Sequence, residues 1–326
     1  MKKFALFGAA GVMGNSVAKA LEAAQLQFRV VGRSREKLEK CFKDNPYAEI
    51  TLWDPDSPLS IRKAAENIHT LIYMVGVDYW KFELHPVLMH KTLEAAIAAG
   101  VENIVLIGTV YPYGMPRIPV VTENHPRVPC SFKGEKRKEQ EDMLMASHRD
   151  GLINATVLRL PDFYGPGVDK SFLHNAIQAG ITGKTADMIG PINLPHEFVF
   201  VPDVGPVVVK LAQTKAAYGN FWQLAGAGVT TQKEIVEHIE LCTGRRLRLR
   251  IAGKTLLRIL GLFNSFLREL VEMHYLLTHP ILMDDSALQE LIGPIQKTSY
   301  QEGILRCLED GGFQPQARAK SMQAQE

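Results

Sequence analysis

Three glycines at fixed spacing near the start constrain this chain more than any other feature. Gly8-Ala9-Ala10-Gly11-Val12-Met13-Gly14 lies between an apolar run at residues 4–7 and a helical pattern over 12–24. A side chain at such positions would block both a tight strand-to-helix turn and the close approach of a diphosphate to the backbone. The helix that follows offers its first N–H groups and positive dipole end to an anion. A second apolar run, residues 28–31, arrives at the distance a strand–helix–strand unit requires. Lys2-Lys3, the apolar stretch after them and Ala18-Lys19-Ala20 imitate a secretory signal. The glycines interrupt the apolar run, however, and strand, loop and helix account for the same residues.

Further β-like runs at 49–52, 70–75, 103–107 and 155–160 alternate with helical patterns at 36–42, 61–67, 86–99 and 135–147. That alternation predicts an α/β fold: a Rossmann-type, doubly wound parallel sheet of about seven strands. After Tyr164-Gly165-Pro166-Gly167 the rhythm becomes irregular. A run at 198–201, a helix from Asp203 to Gln213 and a run at 221–224 read as a return to the sheet, and the remainder is mainly helical. The expected division is a dinucleotide-binding domain of residues 1–165 and 196–226, with a smaller substrate lobe of 166–195 and 227–326. The polar tail after Gly312 is expected to fray.

The second run ends in Gly32-Arg33-Ser34. An NAD-specific site usually places a carboxylate there for the ribose 2′-hydroxyl, whereas an arginine suits a 2′-phosphate. Arg33, with Ser34 as a further donor, therefore points to NADP, with NAD as the alternative.

Composition excludes several other classes. The 326 residues carry 37 basic and 35 acidic side chains, a net charge of +2, which leaves no general basic field for nucleic acid. Cys41, Cys130, Cys242 and Cys307 lie far apart, so neither a metal site nor a disulfide framework is expected, and a cytoplasmic location fits. The most apolar stretch, 255–277, contains Arg258, Arg268, Glu269 and Glu272, so no membrane span and no membrane partner are expected. Its stripe of Leu256, Leu257, Leu260, Phe263, Leu267, Leu270 and Val271 is expected to cover the substrate pocket or the lobe's own core. Arg245 to Arg250 alternates charge and leucine as a half-buried strand would.

With these motifs in order, the chain resembles the extended short-chain dehydrogenase/reductases, the NAD(P)-dependent epimerase/dehydratase family. Besides the glycine loop, Asp54-Pro55-Asp56-Ser57 resembles a segment after the family's third strand, and IVLIGTVYPYG from Ile104 resembles its fifth strand and exit. LRLPDFYGPG, FVFVPDVGPVVV, GNFWQLAGAGVTTQKEIVEHI and the closing MDDSALQELIG with Tyr300-Gln301-Glu302-Gly303 resemble later segments. The resemblance implies strand order 3-2-1-4-5-6-7 and a small-molecule substrate over the carboxyl edge of the strands. It implies a cofactor site of Gly8, Gly11, Val12, Met13, Gly14, Arg33, Ser34, Gly76, Lys136, Pro161 and Phe163. It also puts Thr109 at the catalytic Ser/Thr position. Dimers in this family often form through the helices after strands four and five; the charged start of the second leaves monomer and homodimer both open.

One element departs from the pattern. The family uses a Y-x-x-x-K pair, and the matching stretch here, Phe132-Lys133-Gly134-Glu135-Lys136, is read with Lys136 at the lysine position and Phe132 at that of the tyrosine. Phenylalanine carries no proton to exchange, and losing a positioned acid costs on the order of 10²–10⁴ in rate. Tyr111, Tyr113, Tyr164 and His125 are the nearest substitutes. Two readings follow: a hydride-transferring reductase or epimerase with an unusual proton donor, acting on a small polar or carbonyl substrate, or a cofactor-binding sensor or scaffold without turnover.

Overall fold

The computed structural model describes residues 3–314. The tail beyond them lies outside the described residues. The chain runs β1 (Phe4–Phe7), α1 (Val12–Ala23), β2 (Phe28–Gly32), α2 (Arg35–Phe42), β3 (Ala48–Leu52), α3 (Pro58–Ala65), β4 (Thr70–Tyr73), α4 (Leu84–Ala98), β5 (Asn103–Thr109), α5 (Phe132–Arg149) and β6 (Asn154–Leu160). It continues through β7 (Asp162–Tyr164), α6 (His174–Thr182), β8 (Ala186–Ile189), β9 (Phe198–Phe200), α7 (Val201–Gln213) and β10 (Phe221–Gln223). The last elements are α8 (Gln232–Thr243), β11 (Leu249–Ala252), α9 (Lys254–Leu260), α10 (Ser265–Met273), α11 (Tyr275–Thr278), α12 (Ser286–Ile292) and α13 (Tyr300–Asp310).

Seven strands form one parallel sheet in the order β10-β6-β5-β4-β1-β2-β3, the winding implied by the resemblance. Strands β1, β4 and β5 are buried almost throughout, because helices cover both faces of the sheet. Serines fix helix starts: Ser34, Ser57 and Ser131 each accept a backbone N–H in the first turn of α2, α3 and α5.

The chain divides into two compact units. The sheet unit comprises Met1–Leu160, Pro202–Leu224 and Met283–Ile295, and the smaller unit Pro161–Val201, Ala225–Leu282 and Gln296–Glu326. Two expectations are corrected here. The run at 198–201 does not return to the large sheet: β9 pairs with β7 in a separate two-stranded ladder, and only β10 joins β6. Residues 283–295, expected in the lobe, belong to the sheet unit. Val121 bridges Met283, and Gln223 of β10 donates to the carbonyls of Val121 and Asp284 at 2.6 and 2.7 Å.

The smaller unit has its own core, in which Phe198, Phe200, Ile235, Ile239, Ile304 and Leu308 are buried. The Arg/Leu alternation becomes β11, paired with β8, with Leu247 and Leu249 turned to that core and Arg250 ion-paired to Asp187. The apolar stripe that follows is only partly interior: Leu257 and Leu270 are buried, whereas Leu256, Leu260 and Phe263 are exposed. Among the described residues no helix is long and apolar enough to cross a membrane, and no group of His, Cys, Asp or Glu is arranged to hold a metal.

Candidate functional site

The three loop glycines answer to different constraints. Gly8 has φ +93°, and a Cβ there would stand 2.6 Å from the Met74 carbonyl oxygen, so the backbone leaving β4 forbids a side chain. At Gly14 a Cβ would stand 2.3 Å from the Ala9 carbonyl oxygen, so α1 could not pack against its own loop. Gly11 is different. Its φ is −81°, and the nearest atom to a Cβ, the Gly8 carbonyl oxygen, is at an ordinary 3.5 Å. Nothing within the chain requires glycine there. Gly76, beyond β4, meets nothing within 4 Å and has no positive φ. Both positions leave open the approach to the carboxyl edge of the strands, where open α/β sheets bind ligands. The α1 N-terminus beside Gly11 has no side-chain cap and no acid in its first turn, so Val12, Met13 and Gly14 present backbone N–H groups at an electropositive helix end.

At the next strand end Arg33 is exposed. Ser34 is the cap of α2, its Oγ accepting the Lys37 N–H at 3.3 Å, while its own O–H remains able to donate.

At the other side of the same edge, α5 is locked to the sheet by a buried ion pair. Arg159 of β6 grips Glu141 with two bonds, Nε to Oε1 at 3.1 Å and Nη2 to Oε2 at 2.6 Å. Arg127 adds a bond to Oε2 at 3.2 Å. Burial works against the Arg159 charge, but Glu141 and Tyr113 outweigh it and hold its pKa above the usual value. Gly108 of β5 makes room for the pair, since a Cβ there would sit 3.2 Å from Glu141 Oε1. With Glu141 facing inward, the helical period turns Arg137, Gly134 and Lys133 inward as well, and these are the buried residues of the helix start. Gly134 is needed: a Cβ would stand 2.7 Å from the Tyr111 carbonyl oxygen. Lys133 is 0% exposed, with Nζ 5.5 Å from the Tyr79 ring centroid and 5.8 Å from that of Phe82, within cation–π range. Arg137 donates to Ile107 O, to Gln140 and to His85 Nδ1. Burial and the Arg137 charge push the His85 pKa down to about 2.

A family model, the NAD-dependent epimerase/dehydratase family, matches residues 5–224, about two thirds of the chain. The chain belongs to that family. No curated protein matches the sequence. Among solved structures it is similar to UDP-glucuronic acid 4-epimerase from Bacillus cereus in complex with NAD, at 16% identity and TM-score 0.78 over 94% of this chain and 98% of that one. It is also similar to MoeE5 in complex with UDP-glucuronic acid and NAD, at 18% identity and TM-score 0.79 over 96% and 99%. A third is DesIV, a dTDP-glucose 4,6-dehydratase from Streptomyces venezuelae with NAD and TYD bound, at 16% identity and TM-score 0.79 over 94% and 96%. The fold is thus that of the extended short-chain dehydrogenase/reductases.

Within this family frame the expected residues separate. Thr109 ends β5, half-exposed, and its Oγ1 accepts the Tyr111 N–H at 3.4 Å. Tyr111 follows in a short 3-10 turn, its hydroxyl 2.8 Å from that of Tyr79. These two stay together at the strand edge. Tyr113 does not join them: it is buried, its hydroxyl donates to Gln223 Oε1 and accepts from Arg159, and burial raises its pKa. His125 has both ring nitrogens engaged, one accepting the Arg117 N–H and the other against Pro126 O. Tyr164 packs against Phe200 and Tyr300 in the smaller unit's core; Pro161 is buried and Phe163 lies in β7.

The geometry also contradicts the expected helix register. Phe132 is 48% exposed in the first turn of α5, and Lys136 is paired with Glu139 on the outer side. The inward positions four residues apart are Lys133 and Arg137. Sequence reasoning passed over both, together with Tyr79. A signal was present: Gly134, Glu141 and Leu144 repeat at seven and three, a helical face that includes 133 and 137 and leaves out 132 and 136.

Proposed function

We infer that the protein is an NAD(P)-dependent enzyme of the extended short-chain dehydrogenase/reductase type, acting by hydride transfer on a carbonyl or alcohol carbon of a small polar substrate. Nucleotide sugars, which the similar structures bind, are the first class to test. Gly11 carries the reading: a glycine that neither its φ nor its neighbours require, beside an uncapped helix end, fits a diphosphate against the backbone. Gly8, Val12, Met13, Gly14 and Gly76 would line the same ligand. The exposed guanidinium of Arg33, with no carboxylate at the end of β2, favours NADP over NAD.

When bound, the nicotinamide supplies or accepts the hydride. The chain's own part is to hold the substrate oxygen and handle its proton. The Thr109 hydroxyl, whose acceptor side is engaged by Tyr111 N–H, is free to donate to that oxygen. Tyr111 and Tyr79 share one hydrogen bond between hydroxyls, so a proton leaving either is stabilised by the other. Lys133, on the inner face of α5 and against the Tyr79 ring, supplies the positive charge that favours a developing alkoxide. Lys133, rather than Lys136 or Phe132, is thus assigned to the working face of the helix.

Titration calorimetry with both oxidised dinucleotides tests the cofactor reading. NADP is expected to bind clearly more tightly than NAD, and Arg33→Ala to abolish the preference. Equal affinities in the parent protein would refute the NADP assignment, and no heat with either nucleotide would refute the cofactor site itself. A carbonyl and nucleotide-sugar screen monitored by NADPH absorbance separates an enzyme from a cofactor-binding scaffold.

A further inference from the structure

The segment 245–268 gathers charge of one sign. It holds Arg245, Arg246, Arg248, Arg250, Lys254, Arg258 and Arg268 and no acid, whereas acids outnumber bases 35 to 30 in the rest of the chain. Six of these cations lie before or within α9, and all seven are exposed. The same segment turns apolar side chains to solvent: Leu256 is 46% exposed, Ile259 53%, Leu262 79% and Phe263 87%. Only Leu257 of α9 is buried, so this apolar face contributes little to the unit's core.

The turn between α9 and α10 holds the tip in place. Leu262 N–H and Phe263 N–H bond to the carbonyls of Ile259 and Leu260, and Asn264 caps α10 by accepting the Leu267 N–H. Gly261 lets the turn press on α10, since a Cβ there would stand 2.9 Å from the Arg268 Cα. The local hydrogen bonds are complete with Leu262 and Phe263 pointing outward. A chain that buries its apolar residues elsewhere exposes large neighbouring ones where something covers them.

We propose that this tip docks on an anionic lipid surface, Leu262 and Phe263 entering the headgroup boundary while the cations around them meet lipid phosphates. The charge selects the occupant. Arg250 is ion-paired to Asp187 and Arg268 to Glu269, but a subunit contact between two copies would still bring two strongly cationic segments together, whereas a negatively charged bilayer matches both the sign and the apolar tip. Docking of this kind needs no spanning helix, so it is compatible with the absence of one among the described residues. It departs from the expectation that the stripe covers the substrate pocket or the lobe's own core and that no membrane is a partner.

Vesicle flotation of the full chain tests the proposal. Association is expected with phosphatidylcholine vesicles containing phosphatidylglycerol, is expected to be absent with pure phosphatidylcholine, and should weaken with salt as surface charge is screened. Leu262→Ser/Phe263→Ser should lower vesicle affinity about tenfold or more, because two large side chains no longer leave water. Lys254→Gln/Arg258→Gln should also lower it about tenfold or more and flatten the salt dependence. Circular dichroism should show both variants folded, since all four side chains are exposed. Failure of the parent to float with anionic vesicles, or equal binding to neutral ones, overturns the proposal. So does a parent that sediments as a dimer and a Leu262→Ser/Phe263→Ser variant that sediments as a monomer.

Discussion

Two stretches at the same edge of one sheet obey different logics. The loop between β1 and α1 works through backbone: what matters is where side chains are missing, and Gly8, Gly11 and Gly14 announce that directly. The start of α5 works through side chains, and there the decisive quantity is rotation about the helix axis. A shift of one residue turns the helix by about 100° and exchanges Phe132 and Lys136 for Lys133 and Arg137. That rotation is set eight residues further on, by a carboxylate under the sheet. A feature made by backbone can thus be read from spacing alone, whereas one made by side chains needs the contact that fixes its phase.

The contrast can be broken in several places. The largest effect is expected at the phase-setting contact: Glu141→Ala leaves the Arg159 guanidinium buried without its carboxylate and should cost about 3–5 kcal/mol in urea unfolding. A loss below about 1 kcal/mol would mean that the pair does not hold α5 in phase. Next, Lys133→Met should lower turnover by about 10²–10⁴ on the best substrate of the screen while NADP affinity stays as in the parent. Lys136→Met should leave turnover nearly unchanged. The reverse ranking would restore the outer register.

The glycine loop sharpens the other side of the comparison. Gly8→Ala should destabilise by about 1–3 kcal/mol, since it combines a disfavoured φ with a backbone clash. Gly11→Ala should leave thermal stability nearly unchanged and weaken NADP binding instead. If Gly11→Ala unfolds the protein, that glycine is structural after all.

The last test concerns pH. His85 is held neutral in the fold to about pH 2, by burial first and by the Arg137 charge second. The unfolded chain protonates it near pH 6.5. The unfolded state therefore binds the extra proton between these values, and stability falls as pH drops through that window. The contribution is about 1.4 kcal/mol per pH unit below about pH 6.5. Urea titrations at stepped pH should show the parent's slope reduced by that amount in His85→Asn.

Much of the architecture was legible because periodicity and glycine placement are local signals. Strand order came with the family resemblance that the motifs carry, and the tight turn between β1 and α1 with the glycines. The roles of Tyr113 and Tyr164 were not legible, since a tyrosine in a loop motif reads the same whether its hydroxyl faces a ligand or Gln223. The β9 segment misled for a related reason: Phe198–Phe200 has strand character, and its partner β7 lies outside the large sheet. The stripe after Lys254 has helical spacing, but spacing does not reveal that one face of α9 lacks a partner within its own unit. Long-range facts of this kind reside in tertiary contacts.

The hold of Gln223 on the Asp284 carbonyl has a consequence for the order of assembly. A ribosome releases all seven strands of the sheet unit long before it reaches Met283, yet the amide at the end of β10 waits for that late segment to satisfy its second donor bond. Completion of the sheet unit is therefore postponed until residues 283–284 have emerged. A nascent chain halted after β10 should accordingly be more open to protease than its finished counterpart.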